Sequence, residues 1–148
     1  MYDNSDSIHQ YLYFCSMEKI EHIGIAVKNL RDAIQKYSRL LQTECYKTEK
    51  VESENVETAF FKVGDSKIEL LQGLSDTSPI SKFIEKRGEG IHHIAYEVCD
   101  IITEMTRFKD EGFQVLNIEP KKGADNKLVC FIHPKDANGV LTELVQSI

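Results

Sequence analysis

Two histidines and two glutamates recur in this chain in matching surroundings. His22 opens HIGIAV and His93 opens HIAYEV; Glu69 stands in IELLQ and Glu143 in TELVQ. His22 and Glu69 are 47 positions apart, and His93 and Glu143 are 50 apart. Each lies in an apolar stretch, where a polar side chain is costly to bury without a partner. Two imidazoles and two carboxylates make a mixed nitrogen and oxygen donor set. It suits a hard or borderline divalent ion: Co, Ni, Mn, Zn, Fe or Mg. With no thiol among the donors, a structural zinc site is not expected. Four protein donors leave two positions of an octahedron open for a chelating substrate. Taken singly, a histidine in an apolar strand is more often a hydrogen-bonded core residue, and a glutamate there more often faces solvent. Repetition of all four at equivalent places favours the metal site.

The local pattern says how strands could present these groups. Successive strand residues point to opposite faces. His22 therefore shares a face with the small residues Gly24 and Ala26, which leave room for a cavity. If Ile68, Leu70 and Leu144 pack outward against helices, Glu69 and Glu143 point inward. His92 is expected on the opposite face from His93, in a structural or supporting role. His133 and His9 find no place in this pattern.

The elements repeat as well. EKIEHIGIAVKN reads as a strand, and LRDAIQKYSRLL carries apolar residues at helical spacing. Strands follow around Cys45 to Val51, at Val56 to Val63 and at Lys67 to Gln72, with a hairpin signal at Gly64-Asp65. Ser78-Pro79 starts a short helix running to about Lys86. The order then begins again: a strand at Ile91 to Val98, a helix from the cap Asp100 through Lys109, and strands at Phe113 to Ile118, Lys127 to Ile132 and Val140 to Gln146. The expected fold class is α+β. Two βαβββ modules, 17–74 and 91–148, meet in a pseudo-twofold arrangement and form a curved mixed β-sheet around a metal cavity. Residues 75–90 link them. Residues 1–16 read as a disordered or loosely packed extension, with Met17 an alternative start.

Composition narrows the class. At 148 residues the chain has the size of one domain or two fused small modules. Its 18 Lys and Arg against 24 Asp and Glu give a net charge of −6, which argues against a general nucleic-acid binder. No apolar run approaches the roughly 18 residues of a membrane span, and the first residues do not form a convincing signal peptide. Cys15, Cys45, Cys99 and Cys130 are widely spaced and are expected to be reduced, mostly buried thiols of a cytoplasmic protein.

Four segments, EHIGIAV (21–27), VGDSKIELLQ (63–72), SPISKFIEKRGEGIHHIAYEV (78–98) and FIHPKDANGVLTELVQ (131–146), resemble the vicinal oxygen chelate (glyoxalase/bleomycin-resistance) superfamily. Within it they are most similar to the methylmalonyl-CoA epimerases. The resemblance covers nearly all of residues 17–148. It implies His22, His93 and Glu143 as metal ligands, with Glu69 at a position that is Gln or Glu in the family. It also implies Glu57 as a base on one face of the substrate and Glu143 as the second base. The implied ion is Co2+, with Mn2+, Ni2+, Zn2+ or Mg2+ as alternatives. The implied reaction interconverts (2R)- and (2S)-methylmalonyl-CoA by removing the C2 proton, with charge moving onto a thioester oxygen held by the metal.

An acyl-CoA thioester is then the partner, and a homodimer the expected assembly. Lys121, Lys122, Lys127 and Lys135 are candidates for the CoA phosphates, although loop lysines are mostly just solvated. Two other readings stay open on the same scaffold. One is a glyoxalase-type lyase or a dioxygenase, the latter disfavoured by a fourth protein ligand at Glu69. The other is a non-catalytic small-molecule binder, which would not need the metal ligands. For Glu57 the competing reading is a solvated strand residue.

Overall fold

The structure, a computed structural model, describes residues 17–148; the expectations for residues 1–16, including His9 and Cys15, lie outside the described residues. The first half contains β1 (Lys19–Ala26), α1 (Leu30–Leu41), β2 (Lys47–Val51), β3 (Val56–Val63) and β4 (Ser66–Gly73). A short helix, α2 (Pro79–Arg87), leads into β5 (Gly90–Glu97), α3 (Ile101–Asp110), β6 (Lys121–Lys122), β7 (Lys127–Ile132) and β8 (Leu141–Ser147). All strands belong to one curled mixed sheet in the order β2-β3-β4-β1-β5-β8-β7-β6.

The sheet is symmetric about its middle. β1 and β5 run antiparallel there, with Ile23 opposite Ile94. On either side, β1 pairs in parallel with β4 and β5 with β8. The expected α+β architecture is the one observed.

Both helices that follow the central strands start in the same way. Asn29 caps α1 by accepting from the amide of Asp32 at 2.9 Å, and Asp100 caps α3 by accepting from Thr103 at 3.0 Å. The repeated glutamines of IELLQ and TELVQ complete these ends. Gln72 Oε1 accepts from the amide of Leu30 at 2.6 Å, and Gln146 Oε1 accepts from the amide of Ile101 at 2.8 Å. Amides of a first helical turn have no partner within the helix, so each glutamine ties a helix to the strand that presents the nearby glutamate.

The core lies between the helices and the convex side of the sheet. Leu70 packs with Val27, Leu30, Ala33, Ala59 and Phe61 beneath α1. Leu144 packs with Ile101, Met105, Phe108, Cys130 and Ile132 beneath α3. Fully burying such a leucine contributes roughly 1.5–3 kcal/mol, which fixes the face that β4 and β8 turn outward. Glu69 and Glu143, one residue earlier, must then face the concave side. There, Ile80 of α2 packs against Ala26, Val56 and Leu71 and closes one edge.

One expected strand is absent. Residues 113–118 make only an isolated bridge, Val115 to Ile132. The amide of Phe131 is satisfied instead by Asn117 Oδ1 at 2.8 Å, and the two-residue β6 after Pro120 forms the sheet edge. A side-chain acceptor has taken the place of the ladder there. The cysteines are less buried than expected: Cys130 is buried, Cys45 half-buried and Cys99 exposed.

Candidate metal centre

The central register assembles the site. Glu69 on β4 lies opposite Gly24 on β1, and Gly24 lies opposite His93 on β5. In the symmetry-related row, His22 on β1 lies opposite Ala95 on β5, and Ala95 lies opposite Glu143 on β8. Small residues between each His and Glu let the long side chains lean together over the sheet.

The two Nε2 atoms of His22 and His93 are 2.9 Å apart. His22 Nε2 is 3.1 Å from Glu69 Oε2 and 3.2 Å from Glu143 Oε2. His93 Nε2 is 3.4 Å and 3.0 Å from the same two oxygens. The four residues are between 4% and 6% exposed. Donor atoms of His22, Glu69 and His93 all lie within 4.8 Å of one another.

Charge balance shows what such a cluster needs. Burial alone would push both carboxyls up and both imidazoles down. The neighbouring imidazoles overcome it and bring Glu69 and Glu143 below the usual carboxylate range. The carboxylates in turn lift His22 well above 6.5 and His93 to about 9. An uncompensated buried charge costs several kcal/mol, more than a flanking aliphatic side chain returns. Two carboxylates therefore require cations, either imidazolium protons or a divalent ion that displaces them. The converging nitrogen and oxygen donors fit such an ion.

Two β-bulges shape the surroundings. Ile20 lies opposite Tyr96 and His22 opposite the adjacent Ala95, so Glu21 between them is the extra residue, and it turns to the same side as His22. Its carboxylate hydrogen-bonds His22 Nδ1 and Lys67 Nζ. Burial raises its pKa, but these two partners outweigh that and hold it at about 2. The matching irregularity in β5 makes His92 the extra residue before His93. His92 therefore does not take the opposite face expected for it. Its Nδ1 is 3.0 Å from Nδ1 of His93, its ring packs edge-on against Phe83 at 4.9 Å, and burial and His93 hold its pKa down at about 4. Strict alternation fails at a bulge, which is why the sequence pattern misplaces it.

Glu69, His93 and Glu143 open onto a cavity of about 90 Å³, bordered also by Thr58, Leu71, Ile80, His92, Phe131 and Glu54. Glu54 ends a 3-10 turn, Glu52–Glu54, and the left-handed Asn55 (φ 57°) swings the chain from there into β3. Its carboxylate pairs with Lys121 Nζ at 2.6 Å. Sequence reasoning passed over Glu54 because it lies in a connection with no apolar periodicity.

The register fixes the face taken by Glu57, the residue expected to act as a base. It lies opposite Gln72, whereas Phe60 lies opposite Glu69. Glu57 thus shares the outward face with Ala59 and Phe61, which pack beneath α1, and is separated from the cavity by the sheet. His133 accepts from the amide of Lys135 through Nδ1 and stands apart from the site. Lys127 bonds Ser147 at 2.7 Å and lies 3.7 Å from Glu21, and Lys121 is engaged by Glu54. Lys122 and Lys135 are exposed.

Comparisons with known proteins identify the family. The model of the Glyoxalase/Bleomycin resistance protein/Dioxygenase superfamily matches residues 21–131. The ethylmalonyl-CoA/methylmalonyl-CoA epimerase of Cereibacter sphaeroides is 43% identical over 130 residues, spanning 86% of this chain and 97% of that protein. A Streptomyces coelicolor methylmalonyl-CoA epimerase, solved in complex with 2-nitronate-propionyl-CoA, superposes with a TM-score of 0.87 at 37% identity, covering 89% of this chain and 96% of the other. The Mycobacterium tuberculosis methylmalonyl-CoA epimerase superposes with a TM-score of 0.85 at 31% identity, covering 100% and 93%. The chain belongs to the glyoxalase/bleomycin-resistance/dioxygenase superfamily and, within it, groups with the methylmalonyl-CoA epimerases.

Proposed function

We propose that this epimerase interconverts (2R)- and (2S)-methylmalonyl-CoA, with His22, Glu69, His93 and Glu143 holding a divalent cation, Co2+ being the first ion to test. The convergence of four buried donor atoms beneath a cavity with a carboxylate on its rim carries the reading. A cation there supplies Lewis-acid stabilisation of the charge that develops on the thioester oxygen as C2 is deprotonated. The chain's own groups do the rest. Leu71, Ile80 and Phe131 exclude water from the acyl head. Glu54 replaces Glu57 as the carboxylate that exchanges the C2 proton from the rim side. Glu143 borders the same cavity, and its second oxygen is assigned to the other face of the flattened carbon.

The CoA portion needs a larger space. A second cavity of about 590 Å³ shares Pro79 and His92 with the first. Lys82, Lys86 and Arg87 of α2 border it, and none of the three is paired with a carboxylate among the described residues. In a chain of net charge −6 this cationic edge suits the CoA phosphates better than the engaged Lys121 and Lys127. We assign the assembly as a homodimer, supported by the half-exposed apolar Ile23 on the side of β1 shared with Ile25. The assigned location is the cytoplasm; among the described residues no helix is long and apolar enough to cross a membrane.

The decisive experiment incubates the Co2+-loaded protein with (2S)-methylmalonyl-CoA in D2O. Deuterium at C2 together with the R isomer is the expected result. Absence of both, in a protein shown to contain the ion, rejects the reading.

A further inference from the structure

The two histidines are related by the pseudo-twofold axis, yet their outer nitrogens have different partners. Behind His22, one oxygen of Glu21 meets Nδ1 and the other meets Lys67 Nζ. Lys67 also contacts Asp125 at 2.9 Å. Asp125 accepts from Lys47 at 3.2 Å and from the Tyr46 hydroxyl at 3.3 Å, and its amide donates to Glu49 at 2.9 Å. Asp125 and Asn126 both take left-handed backbone, φ 55° and 56°, a sharp turn at the end of the β6–β7 connection. A continuous polar chain thus runs from His22 through β4 to β2 and that connection. Its first link is the most enclosed, since Glu21 is 3% exposed.

Behind His93 the equivalent bulge supplies His92, an imidazole, where His22 has a carboxylate. A hydrogen bond between two imidazoles lacks the charge assistance of an imidazole–carboxylate bond. His92 leans on Phe83, an apolar contact, and is not locked by an ion pair.

We propose that Glu21 is the positioning residue that makes His22 the firmer of the two imidazole donors. It holds the proton on Nδ1 and so leaves the Nε2 lone pair facing the other three donors. Lys67, itself tied to Asp125, keeps the Glu21 carboxylate from turning away. This rests on the divalent-cation reading above. The partner of a metal-binding histidine fixes its tautomer and ring orientation, and losing that partner typically lowers metal affinity 10–100-fold. The asymmetry between Glu21 and His92 predicts unequal losses on the two sides of the site.

The test measures Zn2+ affinity of the full chain by competition with a chromophoric chelator, for wild type, Glu21→Gln, Lys67→Met and His92→Phe. Nitrogen-15 histidine spectra of the Zn2+-loaded proteins report the His22 tautomer, a signature that loss of packing alone would not move. Glu21→Gln keeps the side-chain shape and an acceptor oxygen but removes the charge. It should weaken binding by about tenfold or more and shift the His22 Nδ1–H resonance. Lys67→Met, which removes a contact to Glu21 and none to the donor atoms, should shift the same resonance and weaken binding less. His92→Phe should cost less than Glu21→Gln. Wild-type affinity together with an unchanged His22 resonance in Glu21→Gln overturns the proposal, as does a larger loss in His92→Phe. Should Glu21→Gln fail to fold, an unmoved resonance in Lys67→Met overturns it. A wild-type protein that binds no divalent ion would overturn the cation reading itself, and that outcome is distinct from the others.

Discussion

Gly24 lies directly across from His93 on adjacent central strands, and the imidazole occupies the space a side chain at 24 would need. A Cβ there would stand 2.1 Å from Cε1 and 2.5 Å from Nδ1 of His93. Gly24→Ala should therefore push the His93 ring away from Glu143 and lower both divalent-ion affinity and turnover by more than about tenfold. Metal titration beside an isotope-exchange assay checks this. Retained affinity would show that the ring has another place to go.

His93→Ala removes one of four converging donors while leaving the helix-packed cores beneath α1 and α3 untouched. The expected protein is folded by circular dichroism, binds the ion weakly, and exchanges no deuterium into methylmalonyl-CoA. Residual activity above a few per cent of wild type would contradict the four-donor site.

Glu54 and Glu57 separate the rim from the outer face. Glu54→Gln should slow epimerisation by about 10²–10⁴-fold with bound metal unchanged, the range general-base groups contribute. Glu57→Gln, across the sheet, should leave turnover within about twofold of wild type, a bound set by its place outside the cavity. Steady-state kinetics with metal analysis on both variants decides between them, and the reverse ranking would restore the base to position 57.

The ion-free protein should carry a distinct pH signature. Burial pulls the His93 pKa down, but Glu143 and Glu69 outweigh it and set the value at about 9, above the ordinary 6.5. The stabilisation from His93 is thus complete below about pH 6.5 and is lost as pH rises through 9. Glu21 works the other way. With its pKa lowered from 4.5 to about 2, its contribution is present above 4.5 and fades as pH falls toward 2. The ion-free chain should melt at a higher temperature at pH 6 than at pH 9. A divalent ion competes with the same protons, so its affinity should rise between pH 6 and pH 8. Calorimetry with and without chelator tests both statements.

Removing the positive edge of α2 should affect one part of the substrate only. The combined Lys82→Ala, Lys86→Ala, Arg87→Ala variant should raise KM for methylmalonyl-CoA by about tenfold with little change in kcat, the mark of lost uniform binding. A substrate truncated to the pantetheine thioester should show no such difference. An equal effect on both substrates would place the phosphates elsewhere.

The convergence of His22, Glu69, His93 and Glu143 was legible in the sequence because duplication prints each type of residue twice. HIGIAV and HIAYEV, and IELLQ and TELVQ, carry the same periodicity, and the leucines beside each glutamate dictate which way it faces. α1 and α3, with their caps Asn29 and Asp100, were legible for the same reason: local chemistry decides where a helix starts. Tertiary structure alone decided the rest. Bulges at Glu21 and His92 reverse the alternation, and they arise from pairing between β1 and β5, strands separated by some 70 residues. The side of the sheet taken by Glu57 follows from its register with Gln72, and the place of Glu54 from a left-handed turn at Asn55. Periodicity reports what one strand does by itself, whereas bulges and register come from fitting one strand to another, and no single segment carries that information.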